Sequence, residues 1–299
     1  MNYDQMRERI GSGQGFIAAL DQSGGSTPKA LKGYGIDEGA WADEAEMFGL
    51  IHAMRSRIIT APCFTGEKVL GAILFERTME GAIDGQPVPA ALIERGIVPF
   101  IKIDKGLEDE GAGGFGGVQM MKPMPELEAL LDRAKALGVF GTKERSVINA
   151  ADPAGIAAIV AQQFEVARRV LAKGMMPMIE PEISIKSPTR AECDTIMRAE
   201  ILKHLDGLAA AEQVMLKLTL PVVPGTFDVL VDHPGVLKVV ALSGGYARAE
   251  ACAELAKNRG VIASFSRALL DDLRHGMSDD EFAGSLGGAI DEIHAASVA

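Results

Sequence analysis

The chain has 299 residues, 47% of them apolar, and a formal net charge of −11. That length fits two average domains or one α/β barrel, and the apolar share is enough for a large core. The acidic balance excludes nucleic acid and anionic membrane as general partners, but leaves room for an anionic small molecule in a locally basic pocket.

Cys63, Cys193 and Cys252 lie far apart with no CxxC spacing, which fits reduced thiols in a cytoplasmic protein and not a disulfide framework. Residues 1–9 are charged and hold no apolar run, so no signal peptide is expected. No apolar run is long enough to span a bilayer.

In chain order, residues 15–21 are an apolar run ending in Asp21, followed by Gln22-Ser23-Gly24-Gly25-Ser26. This reads as strand, then loop. Residues 37–57 are amphipathic and predict a helix. Residues 70–75 predict a second strand, with Ile58-Ile59 as a possible preceding extension. A short helix over 90–95 leads to a third strand over 98–104, and a helix is expected over 125–137. Residues 145–148 are a weak fourth strand, with Lys143 and Arg145 flanking its start. Asp152-Pro153 is a helix start that runs to about 173 and stops at Gly174. Residues 176–182 predict the fifth strand, and Ser187-Pro188 opens another helix. Strands six to eight are expected over 214–220, 237–242 and 261–265. Helices over about 248–258 and 279–296 complete the alternation. Eight strands alternating with helices predict one (β/α)₈ TIM barrel domain over 1–299.

The sixth segment, Val214-Met215-Leu216-Lys217-Leu218-Thr219-Leu220, places a lysine among aliphatics. Strand parity puts Met215, Lys217 and Thr219 on one face and the aliphatics on the other, so Lys217 points into the barrel. Burying an ammonium without a partner favours its neutral form, and a neutral amine in a dry site attacks carbonyl carbon. A lysine that escapes at the strand end, or pairs with a carboxylate, fits the same stretch. Lys102 and Asp104 share an inward face of the third strand, and Glu180 and Glu182 share a face of the fifth. Apart from those of the fourth strand, these charges fall near strand C-termini, where barrel enzymes place their chemistry. Ser243-Gly244-Gly245 after the seventh strand and Ser266-Arg267 after the eighth stand where barrels often bind phosphate. Residues 111–116 match GxGxxG, but they follow Glu108-Asp109-Glu110 and read as a mobile loop. The histidines are scattered without metal-site spacing, and no nucleophile elbow is present.

Taken together, the chain resembles the short bacterial form of class I (Schiff-base) fructose-bisphosphate aldolase. The segments that carry the likeness are Ala19-Leu20-Asp21, Ile101-Lys102-Ile103-Asp104-Lys105-Gly106, Lys143 with Arg145, Ile179-Glu180-Pro181-Glu182, Met215-Leu216-Lys217, Leu242-Ser243-Gly244-Gly245 and Ser266-Arg267-Ala268-Leu269. The resemblance implies a cytoplasmic enzyme of glycolysis and gluconeogenesis, acting on a sugar phosphate with no metal or organic cofactor. It also leaves room for a homo-oligomer. It implies that Lys217 forms the Schiff base, that Glu180 moves protons with Glu182 in support, and that Asp21 handles the C4 hydroxyl. Lys102, Lys143 and Arg145 would contact substrate. Ser243, Gly244 and Arg267 would hold the C1 phosphate, with Gly245 and Ser266 in the same motifs. Ser23 and Ser26 are the candidates for the C6 phosphate. Gln22 stands where animal members carry an acid, and residues 294–299 lack the terminal tyrosine of those members. Deoxyribose-phosphate aldolase and transaldolase share the lysine and barrel, but not the Glu180-Pro181-Glu182 and Ser243-Gly244-Gly245 set. A non-catalytic scaffold and a nucleotide-dependent oxidoreductase are the readings from other classes.

Overall fold

A computed structural model describes residues 1–299. Eight parallel strands alternate with helices: β1 (Phe16–Leu20), β2 (Val69–Leu74), β3 (Val98–Lys102), β4 (Gly141–Ile148), β5 (Met176–Ile183), β6 (Val214–Thr219), β7 (Val236–Leu242) and β8 (Val261–Ala263). They pair in that order, each in parallel with the next. Between β8 and β1 no ladder forms. The Ala19 amide donates to Phe265 O at 3.3 Å and brings the two edges together, so the cylinder is nearly closed.

The apolar side chains sort into two layers by strand parity. Ile17, Ala19, Ile73, Phe100, Met178, Met215, Val240 and Ile262 fill the interior. Val214, Leu216, Leu218 and Leu220 of the β6 segment belong instead to the larger layer between strands and helices. The aliphatic face of β6 therefore packs on the helices, and Lys217 enters the barrel above an apolar floor.

Helix boundaries follow their caps. Asp43 accepts from the Glu46 amide and opens the helix Glu44–Thr60. Asp152 accepts from the Ala154 amide ahead of Pro153–Ala172. Ser278 and Glu281 form a capping box on Asp279–Ser297. The helix expected over 37–57 is two elements, a short turn Glu38–Ala40 and then Glu44–Thr60. Ile58 and Ile59 lie in that second helix and do not extend β2. The spacing of Met47, Ile51, Met54 and Ile58 is helical, and all four are buried on one side. The helix expected from Ser187-Pro188 starts later, at Arg190.

The fourth strand departs most from expectation. It begins at Gly141, so Lys143 and Arg145 lie within it and do not flank its start. Both faces of its first half are polar, with Lys143 and Arg145 inward and Thr142 and Glu144 outward, so no apolar alternation marks it. Gly141 is needed there, because a Cβ would fall 2.3 Å from the Met176 carbonyl oxygen. Pro181 sits within β5, a central strand, although it has no N–H to donate. Beyond Met178 and Ile179, β5 leaves the β6 ladder. The Thr219 hydroxyl stitches the parting strands, donating to Ile183 O at 2.8 Å and accepting from Ile183 N at 2.9 Å.

The glycine-rich segment is the tip of an excursion after β3. Leu107 and Met121 bridge at its neck, and Val118–Gln119 pairs antiparallel with the end of β4. Gly111, Gly113 and Gly114 have positive φ, a turn geometry that glycine adopts freely. No helix of the structure is long and apolar enough to cross a membrane.

Candidate active site

At the C-terminal mouth of the barrel the inward side chains converge on one cavity of about 1140 Å³. Lys217 from β6, Lys143 from β4 and Glu180 from β5 are 3%, 3% and 4% exposed. Lys143 Nζ lies 2.7 Å from Asp21 Oδ2 and 2.9 Å from Glu180 Oε2, and Lys217 Nζ lies 3.1 Å from Glu180 Oε1. These are ion pairs by distance. Glu180 Oε2 has no aligned hydrogen-bond donor, so it keeps lone-pair capacity for a ligand hydroxyl. The four groups form a chain, Asp21–Lys143–Glu180–Lys217, of alternating sign, and alternation is what allows this many charges to be buried together.

A second chain runs along β3 and β4. Lys102 Nζ lies 2.8 Å from Asp104 Oδ1. The Asp104 carboxylate also accepts from the Gly106 and Arg145 amides, each at 3.2 Å. Arg145 Nη1 donates to Glu182 Oε2 at 3.0 Å. The polar environment decides the protonation states. Burial alone would raise Asp21, but Lys143, then Lys217 and Lys102, hold its carboxyl well below the usual range. Burial opposes the charge on Lys143 as well, yet Asp21, Glu180 and Asp104 raise its pKa well above that of an ordinary lysine.

The anion-binding side of the cavity comes from loops. Ser243 and Gly244 follow β7, and Ser264, Ser266 and Arg267 follow β8; all line the cavity. Gly244 has φ +63 and a Cβ there would fall 2.5 Å from Ile185, so the loop packs closely only because the residue is glycine. Gly245 does not line the cavity. It lies behind, where a Cβ would come 3.1 Å from Arg267 Nη2. The Ser264 hydroxyl is buried without a partner. Ser23 and Ser26, in the segment after β1, also line the cavity, and the Ser26 hydroxyl donates to Ser23 O. Every residue singled out in the sequence thus reaches the cavity wall except Gly245. Lys105, from the third-strand segment, lines it too, as do Lys29, Tyr34 and Arg274, which were not singled out. They belong to surface helices and loops where a basic or aromatic residue carries no distinguishing pattern.

The fold is a parallel barrel, and its charged cavity opens at the C-terminal mouth, the rim where barrel enzymes place their chemistry. A family model described as fructose-bisphosphate aldolase class-I matches residues 4–225, and the chain belongs to that family. Among solved structures, fructose-bisphosphate aldolase from Plasmodium falciparum superposes with a TM-score of 0.77 at 18% identity, covering 99% of this chain and 94% of that one. At that identity the likeness bears on the fold. A Toxoplasma gondii structure named for orotidine-monophosphate decarboxylase gives a TM-score of 0.46 at 12% identity, covering 99% and 97%, too low to bear on function.

Proposed function

We propose that the protein cleaves fructose 1,6-bisphosphate reversibly to dihydroxyacetone phosphate and glyceraldehyde 3-phosphate through a Schiff base on Lys217. The observation that carries the proposal is the buried contact of Lys217 Nζ with Glu180, continued through Lys143 to Asp21. Lys217 passes a proton to the Glu180 carboxylate 3.1 Å away and, as the free amine, attacks C2 of the open-chain ketose. Glu180 gives a proton to the departing hydroxyl, water leaves, and an iminium ion remains. Asp21, charged because of the lysines around it, takes the proton of the C4 hydroxyl. The C3–C4 bond then breaks, its electrons move to the iminium, and the aldehyde departs. Protonation of the enamine at C3 and hydrolysis release the ketone and restore the amine. The iminium is the electron sink, so the scheme needs neither metal nor organic cofactor.

Arg267, Ser243 and the Gly244 backbone take one phosphate, and Ser23, Ser26 and Lys29 the other. This explains a cationic pocket in an acidic protein. The scheme is tested by borohydride reduction in the presence of dihydroxyacetone phosphate, followed by peptide mapping. A covalent adduct on Lys217 is expected. Lys217→Met should lose the adduct and more than about 10⁴-fold in kcat while keeping its fold. An adduct that persists on that variant would assign the chemistry to another lysine.

A further inference from the structure

Arg55 is fully buried in the helix Glu44–Thr60, yet it bonds only to neutral oxygens. Its Nη1 donates to Thr78 Oγ1 at 2.7 Å. Its Nη2 donates to Gln22 O at 2.5 Å and to Gln22 Oε1 at 3.2 Å. Its Nε has no partner. A guanidinium without a carboxylate is expensive to bury, and an apolar residue of similar size would pack this helix face better. The arginine is therefore explained by what it holds. Gln22 directly follows Asp21. The Gln22 amide donates in turn to Ser266 Oγ at 2.7 Å and to Ala19 O at 3.2 Å. One run of bonds thus joins Thr78 after β2, Arg55, the turn after β1 and Ser266 after β8, whose next residue is Arg267.

We propose that Arg55 is a positioning residue that clamps the Asp21-Gln22 turn from beneath and sets Asp21 against the Ser266-Arg267 arm. This rests on the reading of Asp21 as the acceptor of the C4 proton. Lys217 and Glu180 stand on β6 and β5 and make no bond to this run, so forming the Schiff base does not need it. Cleaving C3–C4 does, because it requires the Asp21 carboxylate and the phosphate-held substrate in register, where a misplacement of about 1 Å costs roughly 10²-fold. Burial lowers the Arg55 pKa to about 10 while the Asp21 charge opposes the shift, so the clamp stays cationic at neutral pH.

The test measures two steps side by side in Arg55→Met: cleavage of fructose 1,6-bisphosphate, and borohydride trapping of dihydroxyacetone phosphate on Lys217. Cleavage should fall roughly 10²-fold in kcat while trapping stays within a few-fold of the unmodified protein. Gln22→Leu, which leaves the buried helix intact, should show the same split at smaller size, and adding it to Arg55→Met should lower kcat little further. Unchanged cleavage in either folded variant, or equal loss of cleavage and trapping, overturns the assignment. Should Arg55→Met fail to fold, Gln22→Leu decides alone. If the unmodified protein neither traps nor cleaves, the proposed function fails first and this inference with it.

Discussion

At the mouth of the barrel Asp21 and Asp104 titrate below the ordinary carboxylate range, whereas in the layer between strands and helices Glu144 and Asp194 titrate above it. Burial pushes all four the same way, towards the protonated form. At the mouth it is outweighed by Lys143 for both carboxyls, joined by Lys217 at Asp21 and by Lys102 at Asp104. In the layer it wins. Glu144 meets a further rise from Asp104, and the only hydrogen bond to its carboxyl comes from Thr142 Oγ1, at 3.3 Å. Asp194 accepts from the Val222 amide and feels Arg190, too little to cancel burial. Lys143 and Glu144 are adjacent in sequence but project from opposite faces of β4. What a buried charge becomes is decided by the face it occupies, because the face sets which charges surround it.

The most damaging way to break this contrast is to remove the cation at the centre of the mouth. Lys143→Met leaves Asp21 and Glu180 buried without their shared partner. Urea unfolding at pH 7 should show a loss of about 3–5 kcal/mol, together with loss of cleavage. A variant as stable as the parent would show that the carboxylates do not depend on Lys143. Next in size is the mouth's outer arm. Arg267→Ala should lower kcat/KM by roughly 10²-fold, as expected for a lost charged hydrogen-bonded pair. The loss should be much smaller on a substrate without the C1 phosphate. Equal losses on both substrates would move Arg267 out of that site.

The smallest effect sharpens the other half of the comparison. Folded Glu144 holds its proton more tightly than the unfolded chain does. Its contribution to stability is therefore full below about pH 4.3, the unfolded value, and is lost as pH rises through the folded pKa. Glu144→Gln should melt like the parent near pH 4 and gain on it towards pH 8, by up to about 1–3 kcal/mol, the usual cost of an unsatisfied buried polar group. A constant difference across that range would mean that Glu144 does not titrate with folding. Asp21 and Asp104 carry the opposite sign: their contribution is present above about pH 3.9 and is lost as pH falls.

Much of the mouth was legible in the sequence, because strand parity needs only alternation. Lys217, Lys102 and Glu180 each sit in a run whose other face is aliphatic, and all three point inward as that pattern requires. Parity failed at β4, where Thr142 and Glu144 make the outer face polar too and the alternation disappears. It also had nothing to say about Arg55. An arginine one position after Met54 in an amphipathic helix looks like an exposed charge, and only its depth and its bonds to Gln22 reveal otherwise. Ile58 and Ile59 misled for the opposite reason: two β-branched residues suggest a strand locally, while the helical spacing that includes Ile51 and Met54 prevails over the whole segment.

The single backbone bond between Ala19 and Phe265 has a thermodynamic consequence. Asp21 follows β1 and Arg267 follows β8, so on the proposed reading a bound bisphosphate is gripped from both sides of the one seam that has no ladder. The ligand supplies the missing rung. A grip that spans the seam adds binding free energy to the folded cylinder, so a saturating bisphosphate should raise its stability as any ligand of the native state does. Gln22, whose side-chain amide donates across that seam to Ser266 Oγ, ties the same two edges in the unliganded protein.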